Sequence, residues 1–177
     1  MRILINDANI LIDLVELGLL KEFSQLSFEL YTTDFILAEI DEIQRAQFDA
    51  IIEAGNLNVV VTEADEDFGG ITSLLFSGGG LSFEDCSTWY YSRKMGGILV
   101  TGDGNLRRIA IADGIEVRGI IFLFDELLAQ KIITCERAVE KIEQLLTINN
   151  RLPKDAIRIR IRLWKRGRLF VDVTEEE

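Results

Sequence analysis

Four carboxylates stand where carboxylates can do chemistry: Asp7, Glu39, Asp85 and Asp103. Asp7 ends a short apolar run, RILIN, and Asp103 lies just past the β-branched run ILVT at 98–101. Both fall at the carboxyl ends of expected strands, where sites form in open α/β sheets. Glu39 shares a helical face with Ile36, Ile40 and Ile43, because steps of three and four residues return to one side of a helix. A carboxylate on a packing face is costly unless something neutralises it. Asp85 opens a helix expected over residues 83–94. Gathered in a partly buried place, such groups repel one another strongly unless a divalent cation is bound among them. Oxygen-only donors favour Mg²⁺ or Mn²⁺, which can activate water and stabilise a phosphoryl group during displacement without any histidine. Each acid also has a plain structural use. Asp7 can cap the helix that follows it, Asp85 can serve the first turn of its own helix, Asp103-Gly104 is a frequent turn pair, and Glu39 can pair with an arginine.

Composition narrows the chemistry further. Histidine is absent, which excludes Ser-His-Asp and Cys-His catalysis and histidine-rich zinc sites. The two cysteines, Cys86 and Cys135, have no metal-ligand spacing and read as small core residues. With 177 residues, 48% apolar and 28% charged, the chain has the composition of one folded domain with additions. No apolar run approaches a membrane span and the amino end leads directly into a strand pattern, so a cytoplasmic protein is expected. The net charge of −11 is uneven: residues 1–150 carry 11 Lys+Arg against 25 Asp+Glu, and residues 151–177 carry 8 against 5. The acidic body repels nucleic acid at long range, so a nucleic-acid substrate would need metal ions or the basic tail.

The elements that must position the acids alternate. Strands are expected at 2–6, 28–31, 57–61, 98–101 and 115–117, with helices between them: 9–23, one bearing Glu39, 47–54, a poorly patterned one that starts within 62–65 and runs to 76, 83–94 and 106–112. Further helices follow from 120 to 130 and from 136 to 146. This alternation implies a three-layer α/β/α fold with a mostly parallel central sheet. Residues 1–148 are assigned to that domain and 149–155, with the only proline, to a linker. IRIRIRLW then alternates strictly, Ile157, Ile159, Ile161 and Leu163 against Arg158, Arg160 and Arg162, so residues 156–174 are expected to form a basic β-hairpin. Such a hairpin can bind RNA, add strands to a partner chain or lie against the acidic body of its own domain, and docking within or between chains is preferred because the isoleucine face must be buried against something. Trp89-Tyr90-Tyr91 can stack bases or fill the core, and Arg107 and Arg108 can contact phosphate or face solvent.

DANILI at the amino end, an acid in a helix near position 40, LSFED at a helix start and LVTGDGNLRRIA after a strand together resemble the PIN-domain nucleases, including the VapC-like ribonuclease toxins. The most specific part is the 18-residue step from Asp85 to Asp103 joined to the TGD strand end. The likeness covers roughly residues 1–130. It implies a PIN-like fold and a metal-dependent endoribonuclease in which Asp7, Glu39, Asp85 and Asp103 are catalytic and hold one or two Mg²⁺ or Mn²⁺ ions. It also gives Asn9, Thr101, Asn105 and Arg107 supporting or substrate-contact roles, RNA as substrate, an antitoxin protein as partner and a homodimer as the assembly. The chain is longer and more acidic than the common toxin pattern. The alternative is a non-catalytic PIN-like interaction module whose carboxyl-terminal segment mediates assembly. A phosphoacceptor receiver domain fits less well, since the paired acids after the first strand and a suitable lysine are missing.

Overall fold

The computed structural model describes residues 2–77 and 79–170. The elements run β1 (Ile3–Asn6), α1 (Ala8–Glu16), α2 (Leu20–Phe23), β2 (Glu29–Thr33), α3 (Asp34–Glu39), α4 (Glu42–Glu53), β3 (Asn58–Val60) and α5 (Asp65–Phe76). They continue with α6 (Phe83–Met95), β4 (Ile98–Val100), α7 (Gly104–Ala112), β5 (Val117–Arg118), α8 (Ile120–Ala129), α9 (Cys135–Ile148) and α10 (Lys154–Trp164). The chain divides into two compact units, residues 1–120 and 121–177.

In the first unit five parallel strands stand in the order β3-β2-β1-β4-β5, flanked by helices, as the alternation implies. Strands this short and this apolar are what a doubly covered parallel sheet requires: Leu4, Ile5, Leu99 and Val100 have no exposed surface. The chain winds from β1 outward to β3, then returns to β4 on the other side of β1. The topological switch point therefore lies between β1 and β4, and in open parallel sheets that is where ligands bind. Asn6 pairs with Val100 in register, and the Asp7 amide donates to the Val100 carbonyl at 3.1 Å. The carboxyl ends of these two strands are thus locked side by side.

The expected single helix over residues 9–23 is broken. Gly18 takes a left-handed φ of 61°, which ends α1 and lets Leu17 and Leu19 both reach the interior. The expected continuous stripe of Ile36, Ile40 and Ile43 is interrupted too. Ile40 is extended, Asp41 starts α4 by accepting from the Ile43 and Gln44 amides, and Ile43 is left 82% exposed.

Helices α5 and α6 are fastened by a polar cluster. Asp67, buried, accepts from the Tyr90 hydroxyl at 2.7 Å, from the Tyr91 hydroxyl at 3.3 Å and from the Lys94 ammonium. The Lys94 bond, followed by that from Tyr90, holds the Asp67 carboxyl below the usual carboxylate range. Gly70 lies under the Tyr90 ring, and a Cβ there would come within 2.3 Å of a ring carbon. The ring is tethered through its hydroxyl, so Gly70→Ala should destabilise the chain by about 1–3 kcal/mol by overpacking, read as a lowered urea midpoint.

In the second unit the expected β-hairpin is corrected: residues 154–164 form helix α10, and a break of only a few residues separates α9 from it. Part of the expected second strand, residues 171–174, lies outside the described residues. The alternation that suggests a strand is also compatible with a helix, because the apolar side is completed by a residue off the alternation. Ile157 and Trp164 are buried, Trp164 stacks on Phe124 at a centroid distance of 6.0 Å, and Arg160 reaches inward to Asp125 at 2.8 Å. Ile159, which a hairpin would bury, is 46% exposed.

Candidate functional site

Three of the four acids are placed by helix starts, and the structural and functional readings of them coincide. Asp7 is the N-cap of α1: its Oδ1 accepts from the Ala8 amide at 2.7 Å. Its Oδ2 accepts from the Thr101 hydroxyl at 2.6 Å and from Asn9 Nδ2 at 2.5 Å. Asp103 is the N-cap of α7, with Oδ1 accepting from both the Asn105 and Leu106 amides, at 2.9 and 2.8 Å. Asp85 is the third residue of α6 in a capping box with Ser82: the Ser82 hydroxyl accepts from the Asp85 amide at 3.0 Å while Asp85 Oδ2 accepts from the Ser82 amide at 3.1 Å. Capping occupies one oxygen of Asp85 and one of Asp103. Glu39 closes α3 at the solvent edge rather than lying within a packing face.

The electrostatics bring all four into one group. Asp7 is 3% exposed, and burial above all, with the charge of Asp85 adding, raises its pKa from 3.8 to about 6 against the opposing bonds from Thr101, Ala8 and Asn9. Glu39 is raised by partial burial and then by Glu84, Asp7 and Asp85. Asp85 is raised by burial and by Asp103 and Glu84, against the Ser82 bonds. Glu84 therefore belongs to the same acidic field, and sequence reasoning passed over it although it adjoins Asp85. The Ser82-x-x-Asp85 spacing is the signal that could have located the start of α6.

Thr101 is the hub of the switch point. Fully buried, it donates to Asp7 and accepts from the Asp103 amide at 3.0 Å, so one hydroxyl sets both strand-end acids. Asn9 crosses the same gap, with its Oδ1 accepting from the Gly102 amide at 2.8 Å. Gly102 must be small here, since a Cβ would come within 2.9 Å of that oxygen. Thr101→Val removes the donor to Asp7 and leaves the Asp103 amide unpaired. It should cost about 1–3 kcal/mol in urea denaturation at pH 8, with Thr101→Ser recovering most of the loss.

The other expected contacts divide. Asn105 Nδ2 donates to the Gly79 carbonyl and its Oδ1 accepts from Arg108 at 2.9 Å, so it ties α7 to the glycine loop. The Arg107 guanidinium is spent on carbonyls, donating to Thr101 at 3.0 Å and to Val117 at 3.3 Å. Trp89 and Tyr91 are core residues. Cys86 is buried, which pushes its thiol up to about 11, away from nucleophilic use. Beneath the acids lies a second buried link that the sequence did not reveal. The hydroxyls of Thr33 and Ser87 meet at 2.8 Å, Thr33 capping α3 and Ser87 donating to the Glu84 carbonyl at 2.7 Å, which couples the helix of Glu39 to that of Asp85.

Among the described residues, no three of His, Cys, Asp and Glu lie close enough together to grip a metal ion as they stand. The donor chemistry nevertheless fits one. The set is oxygen-only, and Asp7, Glu39 and Asp85 are each raised by burial and by other carboxylates, a penalty that a hard divalent cation relieves. No helix among the described residues is long and apolar enough to cross a membrane.

A parallel α/β sheet with carboxylates gathered at the switch point between its first and fourth strands defines a class of protein with an acidic site at the strand ends. Within that class the assignment is specific: a family model described as DUF3368, PIN domain, matches residues 3–166, and the chain belongs to that family. Two solved structures are similar in fold. VapBC2 from Rickettsia felis, bound to a DNA fragment from its promoter, is 14% identical over 66% of this chain and 98% of that one, with a TM-score of 0.46. VapBC-1 from nontypeable Haemophilus influenzae is 16% identical over 67% of this chain and 98% of that one, with a TM-score of 0.45. No curated protein matches the chain.

Proposed function

We propose that the chain is a divalent-metal-dependent endoribonuclease, the toxin of a toxin-antitoxin pair restrained in the cell by an antitoxin protein. The observation that carries this reading is Asp7: buried to 3% exposure and raised to about 6 with Asp85 beside it, it carries a charge that capping α1, which a neutral acceptor would serve, does not require. Its place at the switch point of a PIN-domain sheet supports the same reading. Asp7, Glu39, Asp85 and Asp103 would hold Mg²⁺ or Mn²⁺, which when bound supplies Lewis-acid polarisation of the phosphoryl group and lowers the pKa of water.

The chain's own residues contribute orientation and proton handling. Thr101 and Asn9 both donate to Oδ2 of Asp7 while the Ala8 amide holds Oδ1, and the two amides of α7 hold Oδ1 of Asp103, so both carboxylates are oriented in advance. Glu39 is exposed and its pKa is raised, which supports it as the acid that would take the proton of the attacking water. Hydrolysis then adds the water oxygen to phosphorus, breaks the bond to the leaving ribose oxygen and returns the proton to that oxygen.

Calorimetric Mn²⁺ titration of the native chain and of Asp85→Asn, run beside cleavage of varied RNAs, tests the proposal. Expected are Mn²⁺ binding and cleavage by the native chain, both lost in the variant. A well-folded native chain that binds no Mn²⁺ and cleaves no RNA would overturn it in favour of the non-catalytic interaction module.

A further inference from the structure

Helix α10 carries a row of positive charge that the acidic site does not use. At about 100° per residue, Lys154, Arg158, Arg162 and Lys165 fall within an arc of about 80° and span about 16 Å. All four are exposed. Around them, residues 151–170 hold eight Lys+Arg and a single acid, Asp155, whereas residues 1–120 hold 8 Lys+Arg against 20 Asp+Glu. Two of the row are in ion pairs, Arg158 with Asp155 at 3.2 Å and Lys165 with Glu143 at 3.1 Å. In all four partners at least half of the side chain is exposed, so the pairs are weak and yield readily to a stronger anion. Arg162 donates from Nε to the Arg158 carbonyl at 3.3 Å, which orients its guanidinium and keeps its terminal nitrogens for another acceptor.

We infer that this face of α10 binds the phosphodiester backbone of RNA. The choice of RNA among polyanions rests on the nuclease reading above; the electrostatic basis does not. A membrane surface is disfavoured because the apolar side of the helix, Ile157 and Trp164, is already buried and cannot insert. A protein partner is disfavoured because residues 151–170 expose just two large apolar side chains, Ile159 at 46% and Leu169 at 44%, neither of them aromatic, while interfaces draw their energy from buried aromatic and aliphatic anchors. Evenly spaced guanidinium and ammonium groups without such anchors suit a repeating phosphate chain. Arg160 is not part of the row, since Asp125 and the Phe170 ring hold it, the ring centroid at 3.8 Å.

The test is fluorescence anisotropy of a labelled oligouridylate in EDTA across a salt series, with the native chain, with R158Q/R162Q/K165Q together, and with K21Q/R45Q/R93Q as a charge-matched control. The triple variant should keep its thermal midpoint, bind at least about tenfold more weakly at low salt, and show a log K against log salt slope shallower by about 2, at about 0.7 per lost phosphate contact. The control should bind like the native chain. Equal affinity and slope in the triple variant would overturn the inference. So would retained RNA binding with selective loss of polyglutamate binding, which would assign the row to an acidic protein. EDTA keeps cleavage out of the readout, so a chain that binds RNA in this way yet cleaves none would sink the nuclease reading alone.

Discussion

Asp7→Asn is expected to lower RNA cleavage by about 10³-fold or more, the several kcal/mol of phosphoryl charge stabilisation that depends on the site's most constrained carboxylate. The same substitution should remove a pH-dependent penalty on folding. The folded chain holds a proton on Asp7 up to about pH 6, while the ordinary value is 3.8. Between those values the native state binds more protons than the unfolded state, so stability falls as pH rises through the window and the loss is complete above it. The shift corresponds to about 3 kcal/mol. Asparagine cannot ionise, so the variant-minus-native difference in unfolding free energy should move by about that amount in the variant's favour between pH 4 and pH 8. This double difference cancels whatever the lost bonds to Thr101 and Asn9 cost, since that loss enters at both pH values. Saturating Mn²⁺ at pH 8 should stabilise the native chain and leave Asp7→Asn unmoved. A native stability that stays level from pH 4 to pH 8, with no response to Mn²⁺, would show that Asp7 is only a helix cap.

The candidate site is legible in the sequence through placement at strand ends. Asp7 and Asp103 follow apolar runs too short and β-branched to be helices, and parallel pairing of β1 with β4 brings those ends together. Asp85 was legible by the start of its helix. The sequence could not show that all three acids are caps as well. Capping and ligand readings appear there as rivals, whereas a carboxylate has two oxygens and can serve both. Glu39 stands out in the sequence for a partly mistaken reason. Its stripe partner Ile43 is in the next helix, because Ile40 turns extended and Asp41 offers a fresh cap, a competition between caps and periodicity that favours the cap. The Thr33–Ser87 hydroxyl pair joins residues 54 apart in the chain, and no local pattern announces such a contact.

Trp164→Ala should cost about 3–5 kcal/mol, the range for truncating a large buried aromatic, and it tests the element on which sequence and structure disagree. In a strand of IRIRIRLW, Ile157, Ile159, Ile161 and Leu163 would face the core and Trp164 would project with the arginines into solvent. Ile159→Ala would then be severe and Trp164→Ala mild. In the helix the order reverses. Trp164 is 2% exposed and stacks on Phe124 with an interplanar angle of 23°, whereas Ile159 is 46% exposed. Ile159→Ala should therefore change stability by less than about 1 kcal/mol, with alanine's helix propensity offsetting part of the lost contact. The indole nitrogen of Trp164 is buried with no hydrogen-bond partner among the described residues, so Trp164→Phe removes an unsatisfied donor while keeping a ring against Phe124. It should retain most of the stability that alanine loses. The rank order in urea denaturation, Trp164→Ala far below Trp164→Phe and Ile159→Ala, is specific to the helix. The opposite order for Ile159 and Trp164 would restore the hairpin, and with it would go the row of exposed charges on one helical face.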